Sequence, residues 1–202
     1  MFKNLVLVKL FLVLLVVLAP GDLPAGEVDF NVRASIGETY DDNILYDQDS
    51  NKKADHISTL NLGMDLNYEG KKTLVDSSVD VTQQIFGKHT ENQNTAEHAA
   101  IKLKQALSKF DDLIVADTFS HTYEPYNFED QFTRVSGRYG YYRNVFDIAY
   151  EKDFTERISA KLGYGNDLDL TSRSDLFESY VNRVSLQGNY KFNSESEIFG
   201  TY

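Results

Sequence analysis

Three groups of residues in this chain have types and spacings that could do chemistry. The first lies in SIGETYDDNILYDQDSNKKADHIS, residues 35–58, which carries six acids, two lysines and little to bury. Within it Asp47, Asp49 and Asn51 recur at i, i+2 and i+4, as at the start of a calcium-binding loop. An EF-hand loop then needs glycine at its sixth position and glutamate at its twelfth. Here those positions hold Lys52 and Ser58, and strand patterns rather than helices flank the stretch. The spacing fails for a specific metal site, and a solvated loop is the reading left.

The second group is His56 and Ser58, two residues apart and therefore on one face of a strand. A serine nucleophile with a histidine base would make a lipid hydrolase of an envelope protein. Such a site also needs a group to orient the histidine and a donor for the oxyanion, and the sequence names neither. The parity of the pair matches Leu60 and Leu62. His121 and Thr122 make no stronger case.

The third group is the largest. Asp65, Asp76, Asp80, Lys102, Lys104, Asp147, Glu151, Lys161, Arg183 and Lys191 all alternate with apolar residues. On one face of a sheet they would form acidic and basic stripes, and opposite charges on neighbouring strands stabilise the pairing. If that face lines a wide interior, charges of both signs suit hydrated polar solutes. If the interior is small, the same charges pair and fill it.

Strands must position these residues, and the pattern supplies them. After Gly26 the dominant period is two rather than 3.6. Val28, Phe30, Val32, Ala34 and Ile36 alternate with polar residues, as do Leu60, Leu62, Met64, Leu66 and Tyr68. Further runs centre on Val79, Ile101, Ile148, Leu162 and Leu186, a ninth begins near Ser196, and a run at 113–123 is ambiguous in phase. Several runs exceed the five or six residues of a globular strand and approach the roughly nine to eleven of a tilted membrane strand. Connections alternate in size: short at 69–72, 110–112, 153–156 and 193–195, long at 41–55, 87–95, 124–138 and 166–177. Transmembrane barrels show this alternation of short periplasmic turns and longer outer loops. Tyr68, Phe110, Tyr150, Phe154 and Phe192 stand at the short-turn ends, and Tyr40, Phe86, Tyr123, Tyr164 and Tyr180 at the long-loop ends. Aromatics at both ends of an apolar band suit two headgroup layers.

Composition narrows the setting. The chain has 202 residues, a formal charge of −11 and no cysteine. It is too acidic for nucleic-acid binding and has neither disulfides nor thiolate metal sites. Residues 1–25 have Lys3 and Lys9, an apolar core from Leu10 to Ala19, and small residues near Ala25. That is the form of a secretory signal peptide. Its removal takes two lysines and one aspartate and leaves the mature chain, 26–202, at −12.

The segments ETYDDNILY and ADHISTLNLGMDLNYEG resemble the outer-membrane β-barrel porin family associated with exopolysaccharide-export or exosortase systems. The matching positions are Glu38, Asp42, Asn43 and Ile44 in the entry turn, then Asp55 and Gly63. YYRNVFDIAYEKDF and ISAKLGYG resemble the family's repeated hairpins. Leu62 departs from the pattern, standing where proline commonly precedes the glycine, and the chain is shorter than usual for the family. The resemblance implies a barrel in the outer membrane with a role in transport or export.

The sequence therefore predicts an all-β chain, a transmembrane antiparallel up-and-down β-barrel of about nine strands that forms the N-terminal portion of a larger barrel. Its expected place is the cell outer membrane, with outer-membrane lipids and hydrophilic solutes or polysaccharide as partners. The expected function is a porin-like passage, non-enzymatic and without a cofactor. The alternatives are a lipid hydrolase using His56 and Ser58, and a soluble secreted β-barrel binding an apolar ligand.

Overall fold

The period-two runs form long strands whose backbone hydrogen bonds go to their chain neighbours. The computed structural model describes residues 26–45, 47, 49–123, 138–176, 178–192 and 197–201. The expected signal peptide at 1–25 and most of the connection at 124–138 lie outside them. The strands are β1 (Gly26–Asp41), β2 (Asp55–Gly70), β3 (Thr73–Phe86), β4 (Asn94–Ala106) and β5 (Asp111–Thr122), followed by β6 (Tyr141–Asp153), β7 (Ile158–Thr171), β8 (Ser179–Lys191) and β9 (Glu197–Thr201). They form one antiparallel sheet in strict chain order, an up-and-down meander.

Among the described residues the sheet does not close, since no ladder joins β1 to β9. Both run in the same direction, so an antiparallel ladder cannot join them directly.

Register is continuous. β1 and β2 pair from Gly26↔Gly70 to Asp41↔Asp55 without a slip. Because side chains alternate, this registration sorts every strand onto two common faces. One face carries Val32, Met64, Val79, Ala99 and Phe119 in a row across five strands. The other carries Asn31, Asp65, Ser78 and Ala100. The ambiguous fifth run resolves with Leu113, Val115, Asp117, Phe119 and His121 on the first, apolar face.

Connections alternate in size as expected, with shifted bounds. The second short turn lies at 107–110 rather than 110–112, because Ser108 organises it. The Ser108 hydroxyl accepts from the Phe110 N–H at 3.0 Å and donates to Asp111 Oδ2 at 2.5 Å. The last long connection is also shorter than expected. Residues 166–171 continue β7, pairing Asn166↔Phe146 through Thr171↔Tyr141, with Leu168 and Leu170 keeping the period.

Burial is sparse: Tyr68 and Val75 are buried on the apolar face beside the short β2–β3 turn, and the rest lies at the long-loop end. Ile44 and Phe86 are almost wholly buried, and Ile57 joins them with Leu45 packed alongside. Ile57 and Phe86 are register partners on the polar face. The acidic first loop was expected to stand in water, yet its Ile44 folds inward over that face. Asn43 drives the bend: its Oδ1 accepts from the Asp47 N–H at 3.0 Å and its Nδ2 donates to the Asp47 carbonyl at 2.9 Å. Asp41 Oδ1 accepts from the Asn43 N–H at 2.8 Å.

Away from Tyr68 and Val75, large side chains on the apolar face stand exposed. Ile36 is 82% exposed and Val184 73%. Phe30, Val32, Leu62 and Leu186 are also exposed.

Candidate functional site

The candidate site is the polar face. All ten charged residues singled out in the sequence share it by register. A trough of about 740 Å³ lies on this side of β1–β5, lined by Asp29, Asn31, Asp65, Asn67, Asp76 and Lys102 and reaching Thr118.

Two three-strand forks dominate its electrostatics. On β1, Arg33 stands opposite Gly63 of β2, which stands opposite Asp80 of β3. The Arg33 guanidinium crosses the glycine, donates to Asp80 Oδ1 at 2.9 Å, and pairs with Asp65 two residues along β2. On β8, Arg183 stands opposite Gly165 of β7, itself opposite Asp147 of β6. Arg183 donates to Asp147 Oδ1 at 3.3 Å and pairs with Asp167, again two residues past the glycine. The two forks are mirror-related in chain order, and each uses a Gly-x-Asp segment: Gly63-Met64-Asp65 and Gly165-Asn166-Asp167.

The glycines are the notches that admit the guanidinium groups. A Cβ on Gly63 would lie 2.3 Å from Asp80 Oδ1 and 3.0 Å from Arg33 Nη2. One on Gly165 would lie 2.5 Å from Asp147 Oδ1 and 2.8 Å from Arg183 Nη2. Sequence reading missed Arg33 and Asp167, and it took Gly63 only as a family marker. The signal that could have found them is the recurring Gly-x-Asp.

Other predicted charges are arranged differently. Lys104 pairs with Asp112 at 2.9 Å. Asp76 and Lys102 are register partners across β3 and β4, and Glu151 and Lys161 across β6 and β7, yet neither couple forms an ion pair among the described residues. Lys191 stands in register with Glu197. Neutral rungs fill the spaces, such as Thr82 Oγ1 donating to Asn61 Oδ1 at 2.7 Å and Asn61 Nδ2 to Ser35 Oγ at 3.1 Å.

The long-loop end of this face is partly covered. Arg138 donates through Nε to the Ile44 carbonyl at 2.7 Å and through Nη1 to Gln84 Oε1 at 3.2 Å. Its guanidinium lies 4.9 Å from the Phe86 ring centroid. The lead into β6 thus reaches the first loop across the polar side of β3. Below it the Asp55 carboxylate, almost wholly buried, accepts from three backbone N–H groups: His56 at 2.8 Å, Lys88 at 2.9 Å and His89 at 2.7 Å. In the loops, Arg173 holds the Asp175 carboxyl below its ordinary range by direct hydrogen bonds. A hydrogen bond from its own backbone N–H does the same for Glu91, with His89 adding to it.

His56 and Ser58 lie on the other, apolar face. His56 packs against Tyr40, ring centroids 5.0 Å apart, and Ser58 stands in register with Glu38 and Ile85. No hydrogen bond joins Ser58 to His56 among the described residues. Among the described residues no group of three or more His, Asp or Glu side chains is placed to hold a metal ion. No helix among them is long and apolar enough to cross a membrane, which has no bearing on crossing by strands.

No family model matches this chain, and neither a curated protein nor a solved structure does.

Proposed function

We propose that this sheet is the wall of a transmembrane β-barrel in the outer membrane, with the apolar face toward lipid and the polar face lining a porin-like passage. The observation that carries the reading is the inversion of the two faces. Large apolar side chains of β1, β2, β7 and β8 stand exposed on the apolar face, while the polar face holds the trough, the ion-pair forks and the inward-folded loop. A soluble barrel or sandwich buries its apolar face. An exposed apolar surface spanning many strands marks a membrane or protein contact. Strand length supports the same reading, with twelve to sixteen residues in β1–β8 against the roughly nine to eleven that a tilted strand needs to cross.

In this reading the chain loses its signal peptide and reaches the outer membrane. The passage carries hydrophilic solutes or polysaccharide, in keeping with the resemblance to export-associated porins. The forks neutralise part of a strongly acidic wall. Asp29, Asp76 and Glu151 remain without an ion pair among the described residues, as do Lys102 and Lys161; acids outnumber bases on this face, so the wall favours cations. Reconstitution of the full-length protein in planar bilayers tests this. Discrete conductance steps with cation preference are expected, and folded, inserted protein that passes no current would refute the passage.

A further inference from the structure

One rung of the polar face brings four chemically different side chains together. Register sets Asp80 of β3 beside His98 of β4, His98 beside Ser120 of β5, and Ser120 beside Arg143 of β6. Register partners stand side by side on one face, so a carboxylate, an imidazole, a hydroxyl and a guanidinium follow one another across four strands. The centre of the rung is joined, with Ser120 Oγ 2.9 Å from His98 Nδ1. The two residues are 22 apart in the chain, so only the sheet reveals the pair.

The flanking groups suit the pair. Asp80 gives Oδ1 to the Arg33 fork, and its Oδ2 accepts no hydrogen bond among the described residues. An imidazolium formed at His98 by proton transfer would face this carboxylate. Arg143 reaches Asp169 at 3.7 Å from Nε and donates no hydrogen bond among the described residues. Its guanidinium is therefore a donor beside Ser120 for charge that develops there. The next rung toward the short turns, Ser78, Ala100 and Thr118, lines the trough, so the pair borders a space that a ligand can fill.

We propose that Ser120 and His98 are the nucleophile and general base of an esterase site at the end of the trough, with Arg143 at the oxyanion. The trough sets the substrate class. Asn31, Asn67, Ser78 and Thr118 offer hydrogen bonds to hydroxyl groups. The neighbours of Ser120 on this face, His98, Arg143, Thr118 and Thr122, give no apolar slot for a long acyl chain. The substrate is thus the ester of a short acid with a hydroxyl-rich alcohol. With its own proton on Nε2, His98 takes the Ser120 proton at Nδ1 as Oγ attacks the ester carbonyl carbon. The carbonyl oxygen receives the electron pair and faces Arg143. The pair returns, the bond to the alcohol oxygen breaks, and His98 gives that oxygen its proton. Water then attacks the acyl-Ser120, its proton passing to His98 and on to Oγ as the acid leaves. This adds a reaction where the sequence leads one to expect none, and it holds whichever face meets lipid.

The test treats the full-length folded protein with a fluorophosphonate, which phosphonylates serines activated by a base, and maps the adduct by mass spectrometry. Ser120 should carry it. Ser120→Ala should remove it, and His98→Gln should slow its formation about a hundredfold, the scale of general-base assistance, with the β-sheet circular dichroism unchanged. Acetate release from glycerol triacetate should fall in step. Folded wild-type protein left unmodified at Ser120 would overturn the proposal, an arm that needs no variant to fold. A His98→Gln protein labelled at the wild-type rate would overturn it too, as would a labelled Ser120 without acetate release from the untreated protein.

Discussion

At the residue scale, the positions that resemble a family signature have architectural work in this fold. Asn43 bends the first loop, Ile44 fills a small core over the polar face, Asp55 collects three backbone N–H groups, and Gly63 makes room for a guanidinium. Ile44→Ala should therefore release the first loop and cost about 2–3 kcal/mol, toward the low end for a buried aliphatic truncation because the cluster is small. The midpoint of urea-induced loss of heat-modifiable mobility reads it. Gly63→Ala presses on side-chain ends rather than backbone, so it should displace the Arg33–Asp80 contact and leave the sheet folded. In a double-mutant cycle it should be less than additive with Arg33→Gln, because both remove the same interaction. Additive losses would mean that glycine and arginine act independently. Arg33→Gln also uncovers two carboxylates on the polar face, and a reversal-potential measurement should move toward stronger cation preference.

At the element scale, strand faces are what the sequence expresses most clearly. A residue two positions along a strand returns to the same side, so Leu60, Leu62 and Met64 announce their shared face without any knowledge of their neighbours. The contrast between faces is measurable. Leu62→Arg should destabilise by about 2–4 kcal/mol if it meets the mid-plane of a bilayer, whereas Asn61→Arg, one residue away on the polar face, should fold normally. Equal tolerance at both positions would contradict the assignment of faces. The forks were not legible, because each depends on register across three strands: Arg33 meets Asp80 only when β1, β2 and β3 align at Gly63. The fifth strand resisted for another reason. Leu113 to Ala116 is apolar at every position, so only pairing with β4 and β6 sets its phase. The first loop misled because its many acids concealed a single buried isoleucine.

At the scale of the whole molecule, the sheet is a continuous nine-stranded meander, and the proposed function turns its polarity inside out relative to a soluble protein. This inversion is the central claim, and the chain's lack of tryptophan gives it a direct test. Single tryptophans at 60, 61, 62, 63, 64 and 65 of β2, in protein reconstituted with brominated-acyl lipids, should show fluorescence quenching with a period of two. The account predicts strong quenching at Leu60, Leu62 and Met64 and weak quenching at Asn61, Gly63 and Asp65. Quenching absent from the even positions, or equal at both parities, would contradict it.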